Sequence, residues 1–252
     1  MKHLTKTLIT HLIILTSFLL CSCGASHSIR ENVILKDDSF SYNHLINKDV
    51  VNSGVFSQLK DISYDDKIEA SFLLSNILYE KLKDVHQINM ITTGQFINNI
   101  SKENYLIIME NFETEEILNI ESIGFIKETM PDLNYLILAY ITNENIYDYS
   151  DTERVKDEKG EEQYKTDYEK TYLLTVEFQL YDIPQEFMVY NIVVYNQAER
   201  TESRTTDTGC CEGGISNLIS NILQGPPAEI GREEVLAKIY ERFAEELMKV
   251  NN

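Results

Sequence analysis

The sequence predicts an α/β (α+β) fold, in which helices pack on a mixed, largely antiparallel sheet within a single domain. Three patterns lead to this prediction. Residues 135–141 are continuously apolar, as expected of a central strand that is buried on both faces. Residues 174–181 alternate apolar with polar side chains, which is typical of a half-buried antiparallel strand. Residues 233–249 repeat apolar side chains at helical spacing, which predicts a C-terminal helix packed on the sheet.

The region before residue 134 predicts a strand followed mainly by helices. A strand is expected at 48–56, and Ser63 with Asp66 three residues later forms a capping-box pattern that begins a helix. The apolar face of this helix comprises Ile68, Phe72, Leu73, Leu74, Ile77, Leu78 and Leu82. The remaining predicted elements are a short strand at 87–92, a short helix capped by Thr93, and a helix at 114–129 that Pro131 closes.

The region after residue 141 predicts a meander and then an irregular insert. Residues 150–165 are densely charged and indicate an acidic hairpin tip or a flexible excursion. A turn at 182–185 leads into a returning strand at 187–195. Residues 197–231 form a polar Gly- and Cys-rich insert, whose apolar island at helical spacing consists of Ile215, Leu218, Ile219 and Ile222. We interpret the island as a helical turn packed over the sheet, or as a protruding contact for a partner or for membrane lipid.

The first residues are typical of an exported protein. Two lysines precede an apolar run that is too short to span a bilayer as a helix, which predicts a signal peptide. Leu20, Ser22 and Cys23 resemble the processing box of bacterial lipoproteins, which implies that Cys23 receives the lipid. The predicted organisation is a signal peptide at 1–22, a lipidated tether at 23–45, and an extracytoplasmic α/β domain at 46–252.

The lipoprotein resemblance also implies a location in the cell envelope, outside the cytoplasm. The protein is expected to be held on its membrane through the N-terminal lipid, since two or more acyl chains give stable anchoring. Gly24, and not an aspartate, follows the cysteine. Similar lipoproteins with that choice lie on the outer membrane and face the periplasm where the organism has two membranes.

The charge balance excludes one class of partner. With 41 acidic and 22 basic residues, the net charge of −19 opposes binding to nucleic acid or to anionic lipid surfaces. Beyond Cys23, the mature chain retains the adjacent pair Cys210 and Cys211, which leaves open two buried thiols, a strained vicinal disulfide, or bonds to another chain. No zinc-binding spacing of Cys and His is present, so neither a metal nor a cofactor is expected.

The sequence contains none of the catalytic motifs that we sought. A Gly-x-Ser-x-Gly elbow, an HExxH pattern and a P-loop are all missing. His86 is the only histidine within the predicted ordered domain, and its place at a helix end is typical of a capping or surface role. Pairing of His86 with Cys210 or Cys211 as a nucleophile has no support in the spacing. We therefore expect a protein that is not an enzyme.

The order of elements resembles one group of envelope lipoproteins. This group includes the curli-secretion lipoprotein and the activator lipoproteins of cell-wall synthases, whose α/β domain is similar to the N-terminal domain of TolB. The segments that carry the resemblance are 70–82 (ASFLLSNILYEKL), 123–126 (IGFI), 136–142 (LILAYIT), 174–181, 189–195 and 235–247. The chain departs from the group at Pro184, where relatives have a glycine-containing turn, and in the insert with Cys210 and Cys211, which has no counterpart there.

The resemblance implies an accessory protein that makes protein–protein contacts in envelope assembly, or that regulates an envelope enzyme. The expected contact regions are the acidic hairpin at 150–165 and the insert at 197–231. One alternative is an oligomeric, self-associating secretion component, although we recognise no long amphipathic hairpin for a pore, and 150–165 is too acidic to enter lipid. A second alternative is an envelope hydrolase that works with scattered acids.

Overall fold

The computed structural model describes residues 25–86, 88–207 and 229–250, which form one mixed six-stranded sheet with helices on both faces. The strands are β1 (Ser26–Lys36), β2 (Asp49–Phe56), β3 (Asn89–Ile91), β4 (Tyr135–Lys156), β5 (Glu162–Asp182) and β6 (Phe187–Asp207). The helices are α1 (Tyr64–His86), α2 (Thr93–Ile100), α3 (Lys102–Glu115), α4 (Ile120–Thr129) and α5 (Arg232–Lys249). The predicted fold class, a mixed sheet with packed helices including a C-terminal one, is confirmed.

The sheet combines a parallel part with a longer antiparallel part. Its strand order is β1-β6-β5-β4-β2-β3, in which β2 pairs in parallel with both β3 and β4. The β4–β5, β5–β6 and β1–β6 pairs are antiparallel. The meander predicted from the alternating residues is therefore present, and β4 joins it to the parallel part.

Each face of the sheet has its own apolar core. The α1–α5 face is covered by α1 and α5, and the rings of Phe178 and Phe243 stack there with centroids 4.0 Å apart. The α2–α4 face is covered by α2, α3 and α4, where Phe56, Phe112 and Tyr140 form a chain of ring contacts. Burial of apolar side chains on both faces is the main source of stability.

Several predicted elements are confirmed. The strand expected at 48–56 is β2, and the capping box that begins α1 is formed. The backbone N–H of Ser63 donates to Asp66 Oδ2 at 2.8 Å, and the N–H of Asp66 donates to Ser63 Oγ at 3.2 Å. The C-terminal helix buries its predicted apolar face, from Val235 to Leu247.

The prediction of a tether at 23–45 is wrong for the part that the structure describes. Residues from Ser26 onward form β1, an edge strand paired with β6, and Phe40, Tyr42 and Leu45 are buried. Arg242 of α5 fixes this strand through Glu31, because its Nη2 and Nε donate to the two carboxylate oxygens at 2.7 and 3.0 Å. An edge strand that faces solvent has mainly polar side chains, and this composition is the same as that of an unstructured tether. The sequence alone therefore did not distinguish the two.

The helix predicted at 114–129 is wrong in its bounds. The chain ends α3 with Glu116 in the left-handed conformation, at φ 58°, and α4 begins after the cap residue Asn119. The apolar spacing continues across this break, so a prediction from periodicity alone merges the end of α3 and the whole of α4 into one helix. The cap of α2 is also shifted by one residue, since Thr92 accepts from the N–H of Gln95.

The acidic hairpin tip predicted at 150–165 is present, because β4 and β5 pair there, and the alternative of a flexible excursion is wrong. The start of the insert predicted at 197–231 is a regular strand. β4 continues to Lys156, β5 begins at Glu162, and β6 continues to Asp207. The hairpin that β4 and β5 form is long, but it is not the long amphipathic hairpin that the sequence was searched for. Both faces of these strands are largely polar, so the sequence lacks the alternation that reveals a half-buried strand. None of the described helices is both long and apolar enough to cross a membrane.

Candidate interaction site

The antiparallel part of the sheet extends into a three-stranded ribbon, which is the most unusual surface of the described protein. We define the ribbon as residues 143–156 of β4, 162–175 of β5 and 196–207 of β6, which remain paired to the tip. Its β4 segment is about 45 Å long at the usual rise per residue. The side chains from Ile146 to Arg154 are all exposed, so this part of the ribbon is open to solvent.

An ionic cluster holds the base of the ribbon to two helices. Arg232, at the start of α5, donates from Nε and Nη2 to the two carboxylate oxygens of Glu144, at 2.7 and 3.0 Å. The hydroxyl of Tyr172 donates to the same carboxylate, and Asp66 of α1 lies 3.6 Å from Nη1 of Arg232. The cluster therefore ties together β4, β5 and the first turns of both helices.

Interactions within the cluster raise the pKa values of Arg232 and Tyr172. Desolvation opposes the charge on Arg232, but the hydrogen bonds and charge of Glu144 outweigh it and raise the pKa of Arg232. Burial and the hydrogen bond to Glu144 raise the pKa of Tyr172 above its ordinary value. The Glu144 side chain is 10% exposed, so its charge depends on Arg232 for compensation.

Replacing Arg232 with glutamine is expected to lower the free energy of unfolding by about 2 kcal/mol, because it leaves the Glu144 carboxylate buried without its cation. The matched control is Lys238→Gln, which removes an exposed pair with Glu241 on the same helix and should change stability by less than about 0.5 kcal/mol. Urea unfolding of both variants measures the difference. Equal effects would show that the cluster does not hold the ribbon.

One face of the ribbon, which we call the acidic face, continues the α2–α4 face of the sheet. Among its described residues, Lys165 is the one cation on the ribbon strands, against the carboxylates of Asp151, Glu153, Asp167, Glu169 and Glu199. Tyr147 and Tyr149 stand beside one another on this face, and they are 55% and 63% exposed. The face therefore combines negative charge with two large, accessible aromatic side chains.

The opposite face of the ribbon, the tyrosine–arginine face, has a different character. It continues the α1–α5 face and carries Tyr164 and Tyr168 on its central strand. Arg154 stacks on the ring of Tyr164 and Arg204 on that of Tyr168, with distances of 5.6 and 5.5 Å to the ring centroids. The two faces thus differ in charge: Arg154 and Arg204 on this face are paired with Glu162 and Glu202, whereas the acidic face has one cation among its described residues.

A groove of about 450 Å³ lies between α1 and α5. Its lining includes Asp66, Glu69, Phe72 and Arg232, and Phe72 is 50% exposed. Among the residues that the structure describes, neither a histidine nor a cysteine lines this groove. Within the ranges that the structure describes, no cluster of three or more His, Cys, Asp or Glu side chains has an arrangement suited to a metal ion.

The structure also shows where the predicted site residues fall. Cys23, Cys210 and Cys211 lie outside the described residues, and so does the side chain of His86. The statement that His86 is the only histidine of the ordered domain is wrong. His27 lies in β1, with Nε2 3.3 Å from Glu234 Oε1, and His44 lies in the turn whose backbone its Nδ1 contacts at Ser41.

Sequence reasoning identified the acidic hairpin but missed the aromatic part of the site. Tyr147 and Tyr149 precede the charged stretch at 150–165 and share a face with it because β4 is continuous. The signal that could have revealed them is the two-residue spacing of large side chains directly after the apolar run at 135–141.

Comparison with known proteins finds likeness only at the level of the fold. No protein-family model matches the sequence, and no curated protein matches it. Among solved structures, the PelC dodecamer from Paraburkholderia phytofirmans matches with a TM-score of 0.36 and 9% identity, over 90% of this chain and 100% of that chain. A lipoprotein from Neisseria meningitidis matches with a TM-score of 0.28 and 9% identity, over 70% and 96% of the two chains.

The C-terminal domain of LpoB from Salmonella enterica is a third match, with a TM-score of 0.27, 6% identity, and coverage of 68% of this chain and 88% of that chain. Lipoproteins of the group that the sequence resembles are therefore among the matching structures. At these scores the likeness concerns the general arrangement of strands and helices.

Proposed function

We propose that this chain is a lipid-anchored, extracytoplasmic accessory protein that binds a partner protein through the acidic face of its ribbon. The observation that carries the proposal is the pairing of exposed Tyr147 and Tyr149 with a dense row of carboxylates on a stiff, projecting ribbon. The partner in this proposal is a protein of the cell envelope with a basic contact surface.

The chemistry of the acidic face favours a protein partner. Tyrosine is enriched among the residues that dominate binding energy, because a large rigid ring loses little conformational freedom on binding. The surrounding carboxylates increase the rate of encounter with a basic surface and disfavour acidic partners. Strand pairing holds both tyrosines in place, so little further ordering is needed when a partner binds.

Membrane attachment is the second part of the proposal, and Cys23 carries it. The resemblance of residues 20–23 to a lipoprotein processing box supports lipidation at this position. Labelling of growing cells with a palmitate analogue should mark the wild-type chain and the Cys21→Ser variant, but not the Cys23→Ser variant. Labelling that persists in Cys23→Ser would remove the anchor from the proposal.

The partner contact is tested by photo-cross-linking of the full-length protein in its membrane. A photoreactive residue in place of Tyr149 should capture a distinct envelope protein, whereas one in place of Thr152, on the opposite face of the same strand, should not. Capture should weaken as salt is raised, because the carboxylates act through charge. Capture of other copies of this chain alone would favour the self-associating alternative.

Removal of the two tyrosines is expected to weaken partner binding by about 30-fold, which corresponds to about 2 kcal/mol. The double variant Tyr147→Ser with Tyr149→Ser is compared with Ile146→Ser, which changes a residue of 52% exposure on the other face of β4. Titration of the captured partner measures both affinities. If the control weakens binding as much as the double variant, the acidic face is not the contact.

A further inference from the structure

We propose that the partner of the acidic face binds as an added strand, in an extended conformation along the outer edge of β4. The added strand belongs to the partner of the proposed function, on which this inference rests. The sheet order places β4 between β5 and β2. Its pairing with β2 ends at Tyr140, whereas its pairing with β5 continues to Lys156. Residues 143–156 therefore have an outer edge without a neighbouring strand among the residues that the structure describes.

The backbone of this outer edge can pair with another strand. In an antiparallel ladder, alternate residues direct their N–H and C=O groups to opposite sides. About half of the residues from 143 to 156 thus direct both groups away from β5. The side chains from Ile146 to Arg154 are all exposed, which leaves the approach to this edge open. A free edge of this length is a template for strand addition.

The side chains of β4 on the acidic face determine what the added strand carries. They follow one another at every second residue, about 7 Å apart, in the order Tyr147, Tyr149, Asp151 and Glu153. An added strand places one of its own side chains beside each of them. Apolar side chains beside the two tyrosines and cations beside the two carboxylates form a complementary row. The partner segment is therefore a strand with two apolar and two basic residues at alternate positions.

The need for a cation is greatest at Asp151. Asp151 and Asp167 lie directly opposite one another in the β4–β5 pairing, where like charges repel. Lys165 Nζ lies 2.8 Å from Asp167 and 3.8 Å from Glu153. Asp151 forms no ion pair with any residue that the structure describes. A lysine or arginine of an added strand, placed beside Asp151, would reduce this repulsion.

The same charges disfavour a second copy of this chain as the occupant. Two β4 edges that paired with each other through residues 149–153 would bring the carboxylates of both copies onto adjacent strands. Charged side chains on a free edge are a usual protection against pairing between identical molecules. Repulsion of acidic strands and attraction of basic ones together make the edge selective for a basic strand.

Hydrogen exchange of the full-length protein in a neutral detergent tests the inference. The probes are the end-blocked peptide Val-Thr-Val-Thr-Lys-Thr-Lys and its reversed sequence, which suit parallel and antiparallel addition. With these peptides in excess, exchange of alternate amides between residues 145 and 153 is expected to slow about tenfold, because these amides gain hydrogen bonds. The amides of β5, which already lie inside the sheet, should not change. Peptides with glutamate in place of lysine should give no protection, and equal protection by them would overturn the inference.

Two variants with the same change of charge show which face the lysines contact. Asp151→Lys changes the acidic face, whereas Asp148→Lys changes the tyrosine–arginine face of the same strand, where Asp148 lies 3.5 Å from Lys170. Asp151→Lys is expected to weaken binding of the lysine peptide about tenfold and to permit binding of the glutamate peptide. Asp148→Lys should change both affinities by less than about threefold. Equal weakening by the two variants would show that net charge alone is responsible, and the inference would fail.

Different results distinguish failure of strand addition from failure of the proposed function. Capture of an envelope protein at position 149, with β4 amides that exchange as fast in the complex as in the free protein, would retain the function and overturn strand addition. Absence of capture, with β4 amides that the lysine peptide protects, would overturn the function and support the strand-addition site. Protection that rises with protein concentration alone would identify a second copy as the occupant, which would also overturn the inference.

Discussion

Between pH 10 and pH 12 this protein is expected to unfold in a single steep transition, because its buried tyrosines keep their protons in the folded state above the ordinary pKa of tyrosine. Burial is the reason. Tyrosine ordinarily ionises near pH 10, and burial raises the pKa of Tyr42, Tyr135 and Tyr140 to about 12. The described tyrosines whose pKa is raised by burial are Tyr42, Tyr105, Tyr135, Tyr140, Tyr172, Tyr181, Tyr190 and Tyr240.

The sign of the effect follows from proton binding. Above pH 10 the unfolded chain loses its phenolic protons, while the folded chain keeps those of the buried tyrosines. The unfolded state then binds fewer protons than the folded state, so the free energy of unfolding falls as the pH rises. The stability is fully present below pH 10 and is lost as the pH approaches the folded-state values.

The magnitude makes this one of the largest effects that we expect. Each tyrosine held protonated only in the folded state removes about 1.4 kcal/mol per pH unit. The three most deeply buried hydroxyls, those of Tyr105, Tyr181 and Tyr240, alone remove about 4 kcal/mol per pH unit. A domain has a total stability of about 5–15 kcal/mol, so one to two pH units above 10 are sufficient to unfold it.

Tyrosinate absorbance and circular dichroism, followed together, measure this transition. The chain has 15 Tyr and no Trp, so the absorbance change reports tyrosine alone. The two signals should change together with a slope steeper than that of one ionising group. Tyr240→Phe should make the slope shallower, whereas Tyr149→Phe, at an exposed position, should not. A gradual absorbance change with retained secondary structure would contradict the prediction.

The same burial explains which parts of the fold could be predicted from the sequence. β2, the buried start of β4 and helices α1 and α5 each bury one face or both, and this burial imposes a readable pattern on their residues. β1 and the ribbon bury few side chains. Their residues therefore do not alternate between apolar and polar, and the sequence contains no pattern from which these strands could be predicted. The break between α3 and α4 depends on the positive φ of Glu116. A glutamate rarely adopts this conformation, so the break could not be predicted from the residue type.

The candidate site was predictable in part for a related reason. The charge of 150–165 is visible in the sequence, and so is its separation from the apolar core. The division of the ribbon into an acidic face and a tyrosine–arginine face depends on the register between β4, β5 and β6. That register is set by long-range contacts, including the bidentate pair of Arg232 with Glu144, whose partners are far apart in the chain. Local patterns contain no information about such pairs.

A buried glycine of β2 gives the second large effect. Gly54 lies at a shift of register between β2 and β4, with φ +128°, a conformation that residues with a side chain rarely adopt. A Cβ atom at this position would lie 2.5 Å from the hydroxyl oxygen of Tyr105 and 3.2 Å from Ser71 Oγ. Ser71 cannot easily move away, because its Oγ accepts from the N–H of Val55 at 2.7 Å and donates to the carbonyl of Lys67 at 2.6 Å.

Gly54→Ala is therefore expected to lower the free energy of unfolding by about 4 kcal/mol, of which strain in the backbone and overpacking each contribute about 2 kcal/mol. The matched control is Gly124→Ala within α4, where a Cβ would meet nothing within 4 Å. That substitution should stabilise the protein by about 0.5–1 kcal/mol, since alanine is favoured over glycine in a helix. Urea unfolding of both variants gives the comparison.

A second substitution separates the two contributions to the Gly54→Ala effect. The hydroxyl of Tyr105 is buried and makes no hydrogen bond with the described residues, so Tyr105→Phe alone should change stability little. In the double variant the nearest obstructing atom is gone, and about 2 kcal/mol of the loss should be recovered. The remaining loss would then belong to the positive φ, which Tyr105→Phe cannot relieve. If the double variant is as unstable as Gly54→Ala alone, backbone strain accounts for the whole effect and the contact with Tyr105 for none of it.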